Sequence, residues 1–230
     1  MLQDIGLPTG MLGSFSLKGL SLGNDLVLAA NVANPVVDQL MAGLSAVVGG
    51  GTLLRYSGDV STLPTSLLQA TLLPVLLSHL ADDFAASKLD KIRTTVVRSL
   101  ISVTLLLVGM SLALYLFRAP LLRFVFLRGE MDALGVDRMI RLMPYHLVGV
   151  APFGALLVLA RAHVAIKNST IMVSMGVLNA SLNAIFNVIL LKAIGLEGIA
   201  LSTSCVYAAV AVVFWFRLES KLASLREVRA

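Results

Sequence analysis

The sequence predicts an all-α protein that crosses a membrane several times, and two observations predict it. Hydrophobic residues make up 57% of the 230 residues and charged residues only 13%, whereas soluble domains carry about 25% charged residues. A membrane-spanning helix needs about 20 mostly apolar residues. Six stretches meet that need, at 26–52, 63–81, 97–117, 143–162, 170–191 and 197–216.

The placement of basic residues predicts the orientation of these spans. An even number of spans puts both termini on one side, and that side holds eleven of the 18 Lys and Arg residues. Because basic residues collect in cytoplasmic loops, both termini are expected in the cytoplasm. The predicted domains are a linker or interfacial segment at 1–24, a six-helix body at 25–218 and a basic cytoplasmic tail at 219–230.

The first predicted span contains a candidate for a site inside the membrane. Asn31, Asn34, Asp38 and Ser45 share one face of a helix that turns by about 100° per residue. An ionisable residue within a span is costly and normally faces the bundle interior or a water-filled cavity. Asp38 therefore faces a cavity, lies near the headgroups or pairs with a neighbouring helix, and the sequence leaves these alternatives open.

The segment after this span combines charge with helix signals. Arg55 and Asp59 lie in a stretch that is interpreted as a short polar turn. Pro64 then suits the first turn of a helix, and Pro74 is expected to kink that helix. In the fifth span, the amide stripe that ends at Asn187 favours helix packing over substrate contact.

The sequence lacks the motifs that would indicate an enzyme or a metalloprotein. It contains no phosphate-binding glycine loop, zinc motif or nucleophile elbow, and Cys205 is the single cysteine. The histidines, His79, His146 and His163, all lie near predicted span ends. We therefore expect no catalytic residue, no metal, no cofactor and no nucleic-acid partner.

Five segments occur in an informative order: NPVVDQLMAGL, YSGDVSTLP, LLPVLLSHLADDF, FLRGEMD and YHLVGVAPFGALLVLARAHVAIKNS. In this order and spacing, between Leu26 and Leu218, they resemble the MurJ/MviN family, whose members are lipid II flippases of the multidrug/oligosaccharidyl-lipid/polysaccharide exporter superfamily. The resemblance implies fourteen helices in two lobes around a central cavity. The six predicted spans correspond to helices seven to twelve, which form the C-terminal lobe.

The resemblance also implies a function and its partners. A member of this family moves lipid II, the undecaprenyl-pyrophosphate-linked peptidoglycan precursor, across the bacterial inner membrane by alternating access and breaks no covalent bond. The implied partners are this precursor, membrane lipids and an N-terminal lobe or second transporter half. Two alternatives are a non-transporting membrane scaffold or relic and an exporter of another lipid-linked oligosaccharide.

The resemblance places the site at the start of the second predicted span. The family usually reads Ala-Asp-Arg where this chain has Gly58, Asp59 and Val60, so the acid is kept and the family's cavity arginine is a valine. Arg55, upstream, is the cation expected to reach the same volume. The substrate or cavity candidates are therefore Asp59, Arg55 and Asp38.

Overall fold

The computed structural model describes residues 36–45, 47–127, 131–168 and 170–229, and all regular structure among these residues is helical. The long apolar segments become helices because a bilayer offers no partner for an unpaired backbone amide or carbonyl. The helices are, in chain order, α1 at 36–43, α2 Gly50–Ser61, α3 Leu63–Ala85, α4 Leu89–Phe126, α5 Ala133–Ala165, α6 Ile171–Ile194 and α7 Leu196–Arg229.

Five of these helices, α3 to α7, are long and apolar enough to cross a membrane. They cover the last five predicted spans, so the all-α, multi-span fold class is confirmed. The first predicted span, at 26–52, is described from residue 36 onward except at residue 46, and its beginning lies outside the described residues.

The described part of that first span is not one continuous helix, contrary to the prediction. The helix ends at residue 43, and Gly49 has a left-handed φ of 71° immediately before α2 begins. Glycine adopts this conformation at no steric cost, so the glycine run separates two helices. Arg55 to Val60, interpreted above as a polar turn, is therefore helical.

Helix α4 extends beyond the third predicted span at both ends. It is one helix of 38 residues, from Leu89 to Phe126, whereas the predicted span covers 97–117. Its length, about 57 Å at 1.5 Å per residue, exceeds the hydrocarbon thickness of about 30 Å, so its ends project beyond the apolar layer. Helix α7 likewise continues without a break through residues 219–229.

Two ion pairs hold the projecting ends of α4 and α7 together. Arg93 Nε lies 2.8 Å from a carboxylate oxygen of Glu219, and Arg226 Nη2 lies 2.6 Å from one of Asp90. These residues lie at the start of α4 and in the final turns of α7. The basic tail is therefore packed against the helix bundle.

Helix α5 is the centre of the bundle and contacts α2, α3, α4 and α7. It remains helical through Pro144 and Pro152. A Cβ added at Gly149 would lie only 2.9 Å from Ser204 Cα, so this glycine permits α5 and α7 to cross closely. Ser204 Oγ also donates a 2.7 Å hydrogen bond to the Tyr145 carbonyl.

His163 ties the other end of α5 to α7 from a fully buried position. Its Nδ1 is 3.1 Å from the Asn168 amide nitrogen, and its Nε2 is 3.1 Å from the Phe214 carbonyl oxygen. Because the amide nitrogen can only donate, Nδ1 accepts and Nε2 carries the proton. His163 thus has a structural role within the bundle.

Candidate substrate cavity

A cavity of about 620 Å³ lies between α1, α2, α5 and α7, and we refer to it as the central cavity. Asp38, Arg55 and Asp59 all line it. The three candidates therefore lie together although they come from two separate helices. Their role in transport stays a prediction.

Arg55 and Asp59 lie one helical turn apart on the cavity side of α2. Arg55 Nε is 3.8 Å from an Asp59 carboxylate oxygen, and both side chains are 66% exposed. Exposed pairs of this kind contribute about 0–1 kcal/mol, so Asp59 does not fix the guanidinium strongly. Both residues also line a second hollow beside the Gly49–Gly51 run, and they thus stand where the two hollows meet.

The opposite face of α2 holds the helix in place. Leu53, Ser57 and Ser61 are buried, and α2 packs on α5. Val60 is partly buried and packs against the hydrophobic core. It does not line the central cavity, so the valine at the family's arginine position belongs to the packing side of this helix.

Asp38 connects three helices at the cavity wall. Asn187 Nδ2 of α6 donates a 2.6 Å hydrogen bond to Asp38 Oδ1, and Thr203 Oγ1 of α7 donates a 3.2 Å bond to Asp38 Oδ2. The other hydrogen of the Asn187 amide points to Asn183 Oδ1 at 3.1 Å. Asp38 therefore lines the cavity and also pairs with neighbouring helices. The amide stripe of α6 contributes to packing through this network.

Removal of the Asn187 amide is expected to loosen α1. Asn187→Ala removes the donor to Asp38 Oδ1, and hydrogen bonds between membrane helices are worth about 0.6–1.7 kcal/mol. We expect a lower thermal midpoint of the purified chain and faster proteolysis around residues 36–43. Asn179→Ala, which alters an amide on the same stripe whose Oδ1 has no partner among the described residues, is the matched control. Equal effects of the two changes would contradict the proposed link.

Two aromatic groups of the central cavity were not among the candidates predicted from the sequence. His146, expected near a span end, lies well inside α5 because this helix starts at Ala133. Its ring packs over Gly58 of α2, where an added Cβ would be 3.4 Å from Cε1, and its Nε2 has no partner among the described residues. Tyr207 stacks on Phe153 with ring centroids 4.6 Å apart.

A periodic signal for this wall was present in the sequence. Residues 146, 149, 150 and 153 recur at the i, i+3, i+4 and i+7 spacing of one helix face, and all four line the central cavity. Residues 203 and 207 of α7 repeat the i, i+4 spacing and line the same space. A search for polar and aromatic residues at helical spacing inside the spans could therefore have found them.

The charges of the central cavity are mixed. Arg55 contributes one positive charge, whereas Asp38 and Asp59 contribute carboxylates. Phe153, Val150 and Ile199 add apolar surface beside them. Within the described part of the chain, no three His, Cys, Asp or Glu side chains lie close enough to hold a metal ion. The central cavity thus presents charged and apolar surface side by side.

The amino-acid sequence matches one family model. The model described as "Lipid II flippase MurJ" matches residues 20–228, which is most of the chain. No curated protein sequence matches the chain significantly.

Solved transporters share the fold. A structure of lipid II flippase MurJ in an inward closed conformation aligns with a TM-score of 0.70 at 19% identity, covering 86% of this chain and 43% of that one. A MATE structure in complex with MaL6 aligns with a TM-score of 0.77 at 12% identity, covering 90% and 46%. A mutant of the Vibrio cholerae MATE transporter VcmN gives 0.68 at 14% identity, covering 92% and 50%. The chain therefore spans half or less of each.

Proposed function

Because this chain belongs to the MurJ family of lipid II flippases, we propose that it forms one lobe of a transporter that moves lipid II across the bacterial inner membrane. The observation that carries this proposal is the central cavity, in which a loosely paired guanidinium faces open space beside an apolar wall. Lipid II combines a pyrophosphate and a polar headgroup with a long prenyl tail. In the proposed site, the guanidinium would contact the pyrophosphate, and the apolar wall would lie beside the prenyl part of the molecule.

The polar part of the substrate sets the physical requirement. A pyrophosphate that crosses about 30 Å of hydrocarbon needs cationic, water-accessible contacts, while the prenyl tail can stay in the lipid. Arg55 can offer two parallel N–H donors to phosphate oxygens once its ion pair with Asp59 breaks. This ion pair is weak, because its N–O distance is 3.8 Å and both side chains are exposed. The transfer is a change of ion-pair partner and involves no covalent step.

The proposal includes a second lobe that completes the cavity. The formal charge of Arg55, Asp38 and Asp59 together is negative when both carboxyl groups are ionised, so this wall alone does not neutralise a pyrophosphate. We place additional cations and the opposing wall in an N-terminal lobe. Movement of one lobe against the other would then expose the site to each side of the membrane in turn.

Complementation tests this proposal. We expect co-expression of the chain with the N-terminal lobe of a family member to restore growth to cells depleted of their own flippase, and neither lobe alone to do so. Failure of a pair that is well expressed and correctly inserted would refute the proposal. Stronger binding of another polyprenyl-linked sugar than of lipid II would instead assign the substrate to the alternative exporter function.

We further propose that the α3–α4 turn and both termini face the cytoplasm. The turn lies beside Lys88, Lys91, Arg93 and Arg98, and such clusters are retained on the cytoplasmic side. A cysteine introduced at residue 86 should therefore react with a membrane-impermeant reagent only after the inner membrane is opened. Labelling of intact spheroplasts at this position would contradict the orientation.

A further inference from the structure

A groove of about 710 Å³ lies between α3 and α4, beside the turn that joins them, and we refer to it as the α3–α4 groove. No residue of α3 or α4 lines the central cavity, so the two sites are separate. The groove is charged near the turn, at Asp82, Asp83 and Lys91, and apolar at the other end, at Leu72 and Val103. About 20 Å of helix separates Leu72 from the end of α3, which is the length scale of a lipid monolayer.

Two oppositely charged side chains of the groove form an ion pair with each other. Lys91 Nζ lies 2.8 Å from Asp83 Oδ1, and the Asp83 side chain is only 10% exposed. Arg98 and Asp82 also line the groove but form no ion pair with any residue that the structure describes. Both of these side chains are exposed. The α3–α4 groove therefore contains one cation, Arg98, and one anion, Asp82, that form no ion pair with a described residue.

The α4 side of the groove carries a polar stripe within a membrane helix. Lys91, Thr95, Arg98, Ser99 and Ser102 recur at i, i+4, i+7, i+8 and i+11, which is one helix face, and all of them line the groove. Arg98, Ser99 and Ser102 lie within the predicted span at 97–117, and polar side chains there need polar partners. A ligand with polar groups along part of its length would satisfy them.

We propose that the α3–α4 groove binds a zwitterionic phospholipid with a primary ammonium group, that is, a phospholipid of the phosphatidylethanolamine class. The lipid phosphate pairs with Arg98, and the ammonium pairs with Asp82. The hydroxyls of Ser99 and Ser102 lie beside the glycerol esters, and an acyl chain follows the apolar end of the groove.

Charge complementarity selects this lipid class over two others. An anionic lipid such as phosphatidylglycerol pairs with Arg98 but brings no cation for Asp82. Phosphatidylcholine brings a positive charge but no N–H group, whereas a primary ammonium has three N–H donors for a carboxylate. Of these three headgroups, only ethanolamine supplies both an anion and a hydrogen-bonding cation.

Native mass spectrometry of the purified full chain tests the proposal. The chain is incubated with equal amounts of phosphatidylethanolamine, phosphatidylcholine and phosphatidylglycerol of identical acyl chains, and retained lipid is counted. Because one exposed ion pair is worth up to about one kilocalorie, we expect about a fivefold preference for phosphatidylethanolamine. Asp82→Asn should remove this preference, because it removes the acceptor of the ammonium group. Arg98→Gln should instead lower the retention of all three lipids, because each of them carries a phosphate.

Two controls and a charge reversal complete the experiment. Lys88→Gln and Asp90→Asn remove charges of the same signs at the same end of α4, outside the groove, and should keep the preference. Asp82→Lys leaves only cations unpaired and should redirect the preference to phosphatidylglycerol. Equal retention of the three lipids by the unaltered chain, or a preference for phosphatidylglycerol before the reversal, would overturn the proposal. Because no transport is measured, the result is independent of the flippase function.

Discussion

Gly198→Ala is expected to destabilise the lobe more than any other glycine-to-alanine change among the described residues. An added Cβ would lie 3.0 Å from the Leu191 backbone nitrogen and closer still to the Leu190 carbonyl group. These are backbone atoms at the end of α6, so rotation of a side chain cannot relieve the clash. Gly195, with a φ of 73°, forms the tight turn between α6 and α7, and the turn must open to admit the methyl group.

The expected size follows from overpacking, which costs about 1–3 kcal/mol in a well-packed core. The thermal midpoint of the detergent-purified chain should fall, and the fraction of expressed protein that elutes as a single species should fall with it. Gly109→Ala is the matched control, because a Cβ there meets nothing within 4 Å. Removal of this helix glycine should be neutral or stabilising by up to about 1 kcal/mol. Equal midpoints for the two variants would contradict the close α6–α7 contact.

The long spans could be predicted because lipid imposes a simple requirement on them. A helix that crosses hydrocarbon must be apolar over about 20 residues, and α3 to α7 all carry that signal. Hydropathy could not predict α2, since its buried Leu53 and Leu54 are followed by the charged Arg55 and Asp59. Helix α2 packs one face on α5 and turns the other face to a water-accessible cavity. Its average hydropathy is therefore that of a polar turn.

Helix breaks follow tertiary packing as well as residue type. Pro144 and Pro152 lie inside α5, yet this helix is continuous, because neighbouring helices can satisfy the backbone groups that proline frees. Gly49 does separate two helices, since its left-handed conformation follows from the absence of a side chain. Residue type alone therefore does not show whether a proline or glycine interrupts a helix, because the outcome also depends on tertiary packing.

The charged members of the central cavity stand out as single residues in the sequence, whereas their neutral neighbours are marked only by their helical spacing. Ionisable residues stand out in an apolar chain, which is why Asp38, Arg55 and Asp59 were candidates. Thr203 and His146 are unremarkable at their positions until the packing of α5 and α7 brings them to the same cavity. The sequence also gave no sign that Val60 packs against the core, since that depends on the rotation of α2.

Arg55→Ala is expected to abolish growth support by the two-lobe transporter that we propose. Arg55 is the one cation among the residues that line the central cavity, so its removal leaves Asp38 and Asp59 to face the substrate pyrophosphate. Loss of a charge-assisted contact and the added repulsion together should lower lipid II binding at least about tenfold. Arg55→Lys keeps the charge without the two-pronged geometry and should retain part of the activity.

Arg141→Ala is the matched control, since it removes a guanidinium from an exposed position on α5 outside the central cavity. It should support growth as well as the unaltered pair. Asp59→Asn changes the charge of the central cavity in the opposite direction. It removes the ion-pair partner of Arg55 and makes the cavity less negative. Lipid II should then bind as well or better. If Arg55→Ala supported growth normally in a pair that otherwise transports, the cations of the second lobe would suffice, and this lobe would act as a wall of the cavity rather than as a ligand of the pyrophosphate.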